Sequence, residues 1–177
     1  MKVCARRFNI YFALAAAIAL MCGGCRTEKP DEKTVGILRI HLETVPGTTE
    51  ISTAVSVLRS DPLAVTIGHD PVLTEANIIA ARVIDVPGGF AFEIRFDGTG
   101  TWMLEQYSAA NPGKHLVIFG QWGNKVEDGR WLAAPLISHR IGDGVLAFTP
   151  DATREEADQL VLGLNNIAKK NQKGVSK

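Results

Sequence analysis

No cysteine occurs after position 25. The three present, Cys4, Cys22 and Cys25, crowd the first 25 residues, so the rest of the chain holds no disulfide and no cysteine-ligated metal. A domain of about 150 residues can bury enough core to stand without such a staple. No apolar run reaches the roughly 20 residues that a membrane-spanning helix needs. The chain also lacks net charge, with 19 basic and 19 acidic residues. Without a basic stripe there is little to neutralise phosphates, which argues against nucleic acid as a partner.

Catalytic and metal-binding patterns are missing as well. The histidines, His41, His69, His115 and His139, are all more than ten residues apart, and no His-x-x-x-His spacing occurs. They read as surface or strand residues, and no metal or other cofactor is implied. Ser56, Ser60, Ser108 and Ser138 have no Gly-x-Ser-x-Gly context. Asp97-Gly98-Thr99-Gly100 lacks the second carboxylate of an aspartic dyad and the rest of a dinucleotide fingerprint, so it reads as a strand-to-helix turn. Glu155-Glu156 sits at a helix start, where acids favour the dipole. No catalytic residue is assigned.

What is present begins with the N-terminus. Lys2, Arg6 and Arg7 precede the apolar stretch from Ile10 to Met21. That stretch has the length of a signal-peptide core. Gly23-Gly24-Cys25 closes it, and the small residues before a cysteine resemble the lipobox of bacterial lipoproteins. Cys22 departs from that pattern, where leucine is usual. The resemblance implies a signal peptide over 1–24 and lipidation of Cys25. Removing 1–24 leaves sixteen basic against nineteen acidic residues. Residues 25–35 read as the lipidated cysteine and a flexible tether. The expected address is the cell envelope, lipid-anchored and facing the periplasm. Arg26 lacks the aspartate that signals inner-membrane retention in some bacteria, which favours the outer membrane over the inner.

A folded domain is expected over 36–172, with a disordered tail over 173–177. Ile37 to Leu42 alternates apolar and polar residues, as a half-buried strand does. Val55–Arg59 and Leu63–Ile67 are short β-branched runs. Thr74 to Ile79 reads as a short helix capped by Thr74. Residues 82–86 and 90–96 form a hairpin about Pro87-Gly88-Gly89. Gly98–Asn111 reads as a helix stopped by Pro112-Gly113. Strands follow at His115–Phe119, Trp131–Ser138 and Val145–Phe148. Thr153-Arg154-Glu155-Glu156 is a capping box opening a helix that ends near Lys169-Lys170. The fold class is α+β: an antiparallel sheet with two or three helices packed on one face.

The order of motifs from Leu73 onward resembles the head subdomain of the first periplasmic domain of SecD, in the SecD/SecF protein-export family. The matching stretches are Leu73-Thr74 with Ala81-Arg82-Val83, then Phe92 to Gly100, then Asn111-Pro112-Gly113-Lys114 with its strand. Asp128-Gly129-Arg130 through Ala134-Pro135-Leu136-Ile137 is the most specific, and Phe148 to Leu164 closes the series. Residues 121–127 look like an insertion in the family's pattern, and the family's membrane segments are absent. The resemblance implies a head-like module that contacts emerging polypeptide, and it carries over no transport activity, which needs ionisable groups in membrane helices.

Trp122 and Trp131 flank the insertion. Trp122 sits among glycines and polar residues, where an aromatic is hard to bury, and exposed aromatics anchor interfaces. Both tryptophans are therefore the candidate partner contacts; the alternative is that they cap the core from its rim. The expected protein is a non-enzymatic envelope lipoprotein, attached to the membrane through Cys25. It would bind exported polypeptide or another envelope protein, accessory to protein export. A structural or oligomerising lipoprotein and an envelope enzyme with a site assembled from distant residues are the alternatives.

Overall fold

The computed structural model describes residues 34–47, 51–123 and 129–175. In chain order its strands are β1 (Ile37–Leu42), β2 (Ser52–Val57), β3 (Leu63–Gly68), β4 (Leu73–Thr74), β5 (Ile78–Val86), β6 (Gly89–Phe96), β7 (Leu116–Gln121), β8 (Gly129–Ala133) and β9 (Val145–Phe148). Helix α1 (Gly98–Ala110) lies between β6 and β7, and α2 (Arg154–Val175) closes the chain.

The strands make three antiparallel sheets, ordered β4-β1-β7-β8, β2-β3 and β5-β6-β9. Period-two side-chain alternation divides the four-stranded sheet into two faces. Leu38, Ile40, Leu116, Ile118 and Leu132 enter the main core. There they meet Phe92, Ile94 and Phe148 of the three-stranded sheet, Leu104 of α1, and Leu160 and Leu164 of α2. Burying each such side chain stabilises the fold by about 1.5–3 kcal/mol. The β2–β3 hairpin forms a smaller core of Val57, Val65 and Ile67 against Val117, with Trp131 partly buried beside it.

The hairpin is tied down at both ends. At the tip, Leu58 takes a φ of +69°, a strained conformation for a branched residue. Arg59 follows it, and its backbone N–H and guanidinium both donate to Asp151, at 2.8–3.1 Å. At the other end the Thr44 N–H donates to the Thr66 carbonyl at 2.8 Å.

The α+β class is borne out, in three sheets with two α-helices where one sheet was expected. The β5–β6 hairpin turns on Pro87-Gly88 as expected, with Gly88 at φ +88°, a conformation that glycine supplies without strain. Thr74 does cap a helical turn, and Asn77 completes its capping box, but the turn is only the 3₁₀ segment Glu75–Asn77. Ile78 and Ile79, read as helical, begin β5, because β6 offers them a strand partner. The strand expected over Trp131–Ser138 ends at Ala133, where Pro135 would break the ladder.

The capping box at Thr153 forms, with Thr153 N–H donating to Glu156 Oε2 at 2.8 Å and Glu156 N–H donating to Thr153 Oγ1 at 3.3 Å. The helix it opens runs past Lys169-Lys170 to Val175, so helix occupies residues 173–175 of the expected tail. Of the expected insertion over 121–127, Gln121 ends β7 and pairs with Gly129 of β8, and 124–127 lie outside the described residues.

Candidate functional site

Cys25 and the signal segment lie outside the described residues. The tether enters the described part at Thr34, whose carbonyl accepts from Asn166 Nδ2 at 3.1 Å. Gly36 then crosses α2 at Gly163, backbone against backbone. A Cβ built on Gly163 would lie 2.3 Å from the Gly36 nitrogen, and one on Gly36 would lie 2.7 Å from the Leu160 carbonyl oxygen.

Neither predicted tryptophan is an exposed anchor. Trp122 is only 6% exposed and belongs to the main core, with the Arg130 guanidinium 4.6 Å above its ring. Arg130 is fixed in turn. It donates to the Asp151 carbonyl at 3.0 and 3.1 Å and to both Glu156 carboxylate oxygens at 3.1 and 2.5 Å. The cation so held roofs the indole, which is how an aromatic in a glycine-rich loop is covered. Trp131 packs edge-on against Phe119 and His41, with ring centroids 5.4 and 5.5 Å apart. The exposed indole is that of Trp102, on the outer face of α1.

The open places are at sheet edges. The three-stranded sheet has two, β5 and β9. Antiparallel pairing alternates the direction of backbone groups, so every second residue of an edge strand points its N–H and C=O away from the sheet. On β5, Ala81 is such a residue, and α2 covers it. The Ala81 N–H donates to Asn165 Oδ1 at 2.9 Å, and Asn165 Nδ2 donates to the Ala81 carbonyl at 2.8 Å. The side-chain amide thus stands in for a neighbouring strand. Arg154 reinforces the seal, donating to Asp85 of β5 at 2.6 Å.

On β9 the Gly144 carbonyl accepts from Phe96 N–H at 2.9 Å, and the register then pairs Leu146 with Ile94 and Phe148 with Phe92. Val145 and Ala147 therefore turn their backbone groups outward. The Val145 N–H is taken by Asp143 Oδ1 at 3.1 Å. The Val145 carbonyl and both backbone groups of Ala147 point away from β6, and both residues help to line a hollow of about 470 Å³ with Arg140, Ile141 and Asp143. No strand or helix among the described residues pairs with that edge. Arg140 is held by Glu105 of α1 and the Ile141 N–H by Ser108 Oγ at 2.9 Å, so α1 fixes the far wall.

The histidines are far apart in sequence, but the fold gathers three of the four near the end of β1. His41 Nδ1 donates to the Gly68 carbonyl at 3.0 Å, and burial pushes its pKa down. His115 donates through its backbone N–H and through Nδ1 to Glu43 Oε2, at 2.9 and 2.7 Å. Burial pushes the Glu43 carboxyl up, but these two bonds outweigh it and the net shift is downward. His69 lies alongside, 3.1 Å from Asp70. Among the described residues no group of three or more His, Cys, Asp or Glu side chains is placed to hold a metal ion. Asp97, as expected of a strand-to-helix turn, caps α1, its Oδ1 accepting from Gly100 N–H at 2.6 Å.

No family model matches the sequence, and no curated protein matches it. Solved structures do. A structure of SecDF, described as a membrane component that enhances protein export, superposes with a TM-score of 0.52 at 21% identity. The match covers 75% of this chain and 63% of that one. SecDF in a super-membrane-facing form gives a TM-score of 0.53 at 22% identity, over 74% of this chain and 19% of that one. This chain therefore spans under two thirds of the first relative's length and about a fifth of the second's. At this identity the likeness is one of fold, and at that level the sequence resemblance holds: the described residues carry a SecD-like α+β domain.

Proposed function

We propose that this protein is a membrane-tethered, non-enzymatic envelope lipoprotein whose SecD-like domain binds extended polypeptide along β9, accessory to protein export. The observation that carries the reading is the contrast between two edges of one sheet. Under α2, Asn165 takes both outward groups of Ala81 on β5, while on β9 the Val145 carbonyl and both backbone groups of Ala147 have no hydrogen-bond partner among the described residues and lie beside a hollow. An edge strand recognises another strand through main-chain hydrogen bonds, which accept many sequences. That suits a partner whose sequence varies. Exposed edges otherwise invite aggregation, and proteins usually blunt them.

The membrane attachment rests on Cys25. Thr34 lies nine positions beyond it, and an extended chain spans at most ~3.6 Å per residue. A lipid on Cys25 would therefore hold the domain within about 30 Å of the bilayer surface. Cys25→Ser should abolish acyl labelling; a mutant still labelled and processed normally would refute the anchor.

The test of binding uses the full protein in cells, with a photocrosslinking residue at position 147. Capture of exported polypeptides is expected. It should be lost in a second protein carrying Ala147→Pro with the probe moved to 145, because proline deletes an outward N–H without touching the β6 ladder. Capture only of a second copy of this chain would favour the oligomerising alternative. Capture of nothing would end the polypeptide-binding reading.

A further inference from the structure

A second recess lies at the end of β1, away from the β9 edge. It encloses about 590 Å³, within the usual range of a small-molecule site. Leu42 and Val72 contribute aliphatic wall, and Ile51, 76% exposed, stands at the rim. Its polar groups fall into two sets of opposite character.

The first set accepts and is negative. Glu43 spends Oε2 on His115, and among the described residues Oε1 has no hydrogen-bond partner. Asp70 offers Oδ2, since only Oδ1 meets His69, and its side chain is 96% exposed. The second set donates. The Lys114 ammonium and the Tyr107 hydroxyl line the same recess; among the described residues neither has a hydrogen bond or a close ion pair, and Lys114 acts on the Glu43 carboxylate only through its charge. A ligand of one sign would be attracted by one set and repelled by the other. A ligand with a cation at one end, an anion at the other and an aliphatic portion between satisfies both sets and the wall.

We propose that this recess binds short aliphatic peptides of two or three residues as zwitterions. The free ammonium meets Glu43 and Asp70, and the free carboxylate meets Lys114 and Tyr107. The aliphatic side chain lies on Leu42, Val72 and Ile51. Both charge contacts are open to water, where ion pairs are weak, so the affinity is roughly millimolar. The site is independent of the β9 edge and can stand or fall without it.

The test is an amide chemical-shift titration of the full lipidated protein in detergent. The probes are the tripeptide Ala-Leu-Ala, its N-acetylated form and its C-amidated form. Shifts are expected at residues 42–44, 69–72, 107 and 114, with affinity falling about fivefold when either terminus is capped. Lys114→Met should bind the free acid and the amide alike, and Asp70→Asn should bind the free and acetylated amines more nearly alike. Neither substitution touches the core, so folding is not in question. Absence of shifts at millimolar peptide, equal binding of all three peptides, or shifts confined to 143–147 would each overturn the proposal.

Discussion

Asn165 grips Ala81 with both ends of its side-chain amide, accepting from the N–H at 2.9 Å and donating to the carbonyl at 2.8 Å. Ala81 is 6% exposed, so water cannot replace either bond. Asn165→Leu should therefore destabilise the fold by about 1–3 kcal/mol for each backbone group left unsatisfied. Denaturant melts would measure the loss, and hydrogen exchange at the Ala81 amide should accelerate. Unchanged exchange there would mean that α2 does not protect the β5 edge.

The crossing of Gly36 over Gly163 leaves no room for a methyl group on either side. Backbone atoms at 2.3–2.7 Å cannot rotate away as a flexible side chain would. Gly163→Ala should cost about 1–3 kcal/mol or more through overpacking, even though alanine is the better helix former. A melt showing stabilisation would mean that the segment at 34–36 lifts off α2 readily.

Much of this fold was legible in residues whose local chemistry decides the matter alone. Thr153 with Glu156, Asp97 with Gly100, and Pro87-Gly88 each made the feature their spacing predicts. The failures share a different cause. Ile78 and Ile79 satisfy helical and strand patterns equally, and the strand partner on β6 decides between them. Trp122 looked exposed because its neighbours in sequence are glycine and polar residues. What covers it is Arg130, across the β7–β8 hairpin, steered by Asp151 and Glu156. The β9 edge was unreadable for the same reason. Which edge is open depends on where α2 lies, and only Asn165 at a helix position facing β5 could have hinted at that. The histidines gather at the end of β1 because residues 27 and 72 positions apart in the sequence, His41 with Gly68 and Glu43 with His115, meet there.

The tryptophans offer a direct check on this exchange of roles. Trp122→Ala removes a core indole and should cost about 3–5 kcal/mol. Trp102, 62% exposed on α1, should change stability by no more than about 0.5 kcal/mol when replaced by alanine. In fluorescence, acrylamide quenching should fall sharply in Trp102→Ala, whose remaining indoles are shielded. Equal destabilisation by the two substitutions would place Trp122 outside the core.

His41 makes the last expectation one about pH. Burial beside Trp131 disfavours its charged form, so its folded pKa lies below the ordinary 6.5. The unfolded chain then binds the proton first. Stability from this group is fully present above about 6.5 and is lost as pH falls from there toward the lowered folded value. The carboxylates act lower. Arg59 holds Asp151 down and Arg130 holds Glu156 down, and Glu43 is also lowered. Their contributions are present above ordinary carboxylate pKa values and fade only below about 4.5. Stability should therefore decline in two stages on acidification. His41→Gln keeps a donor for the Gly68 carbonyl but cannot titrate, so it should flatten the decline between pH 7 and 5 and leave the acid stage intact. Denaturant midpoints across pH 4–8 for both proteins would show it, and identical upper slopes would rule out His41 as the titrating group.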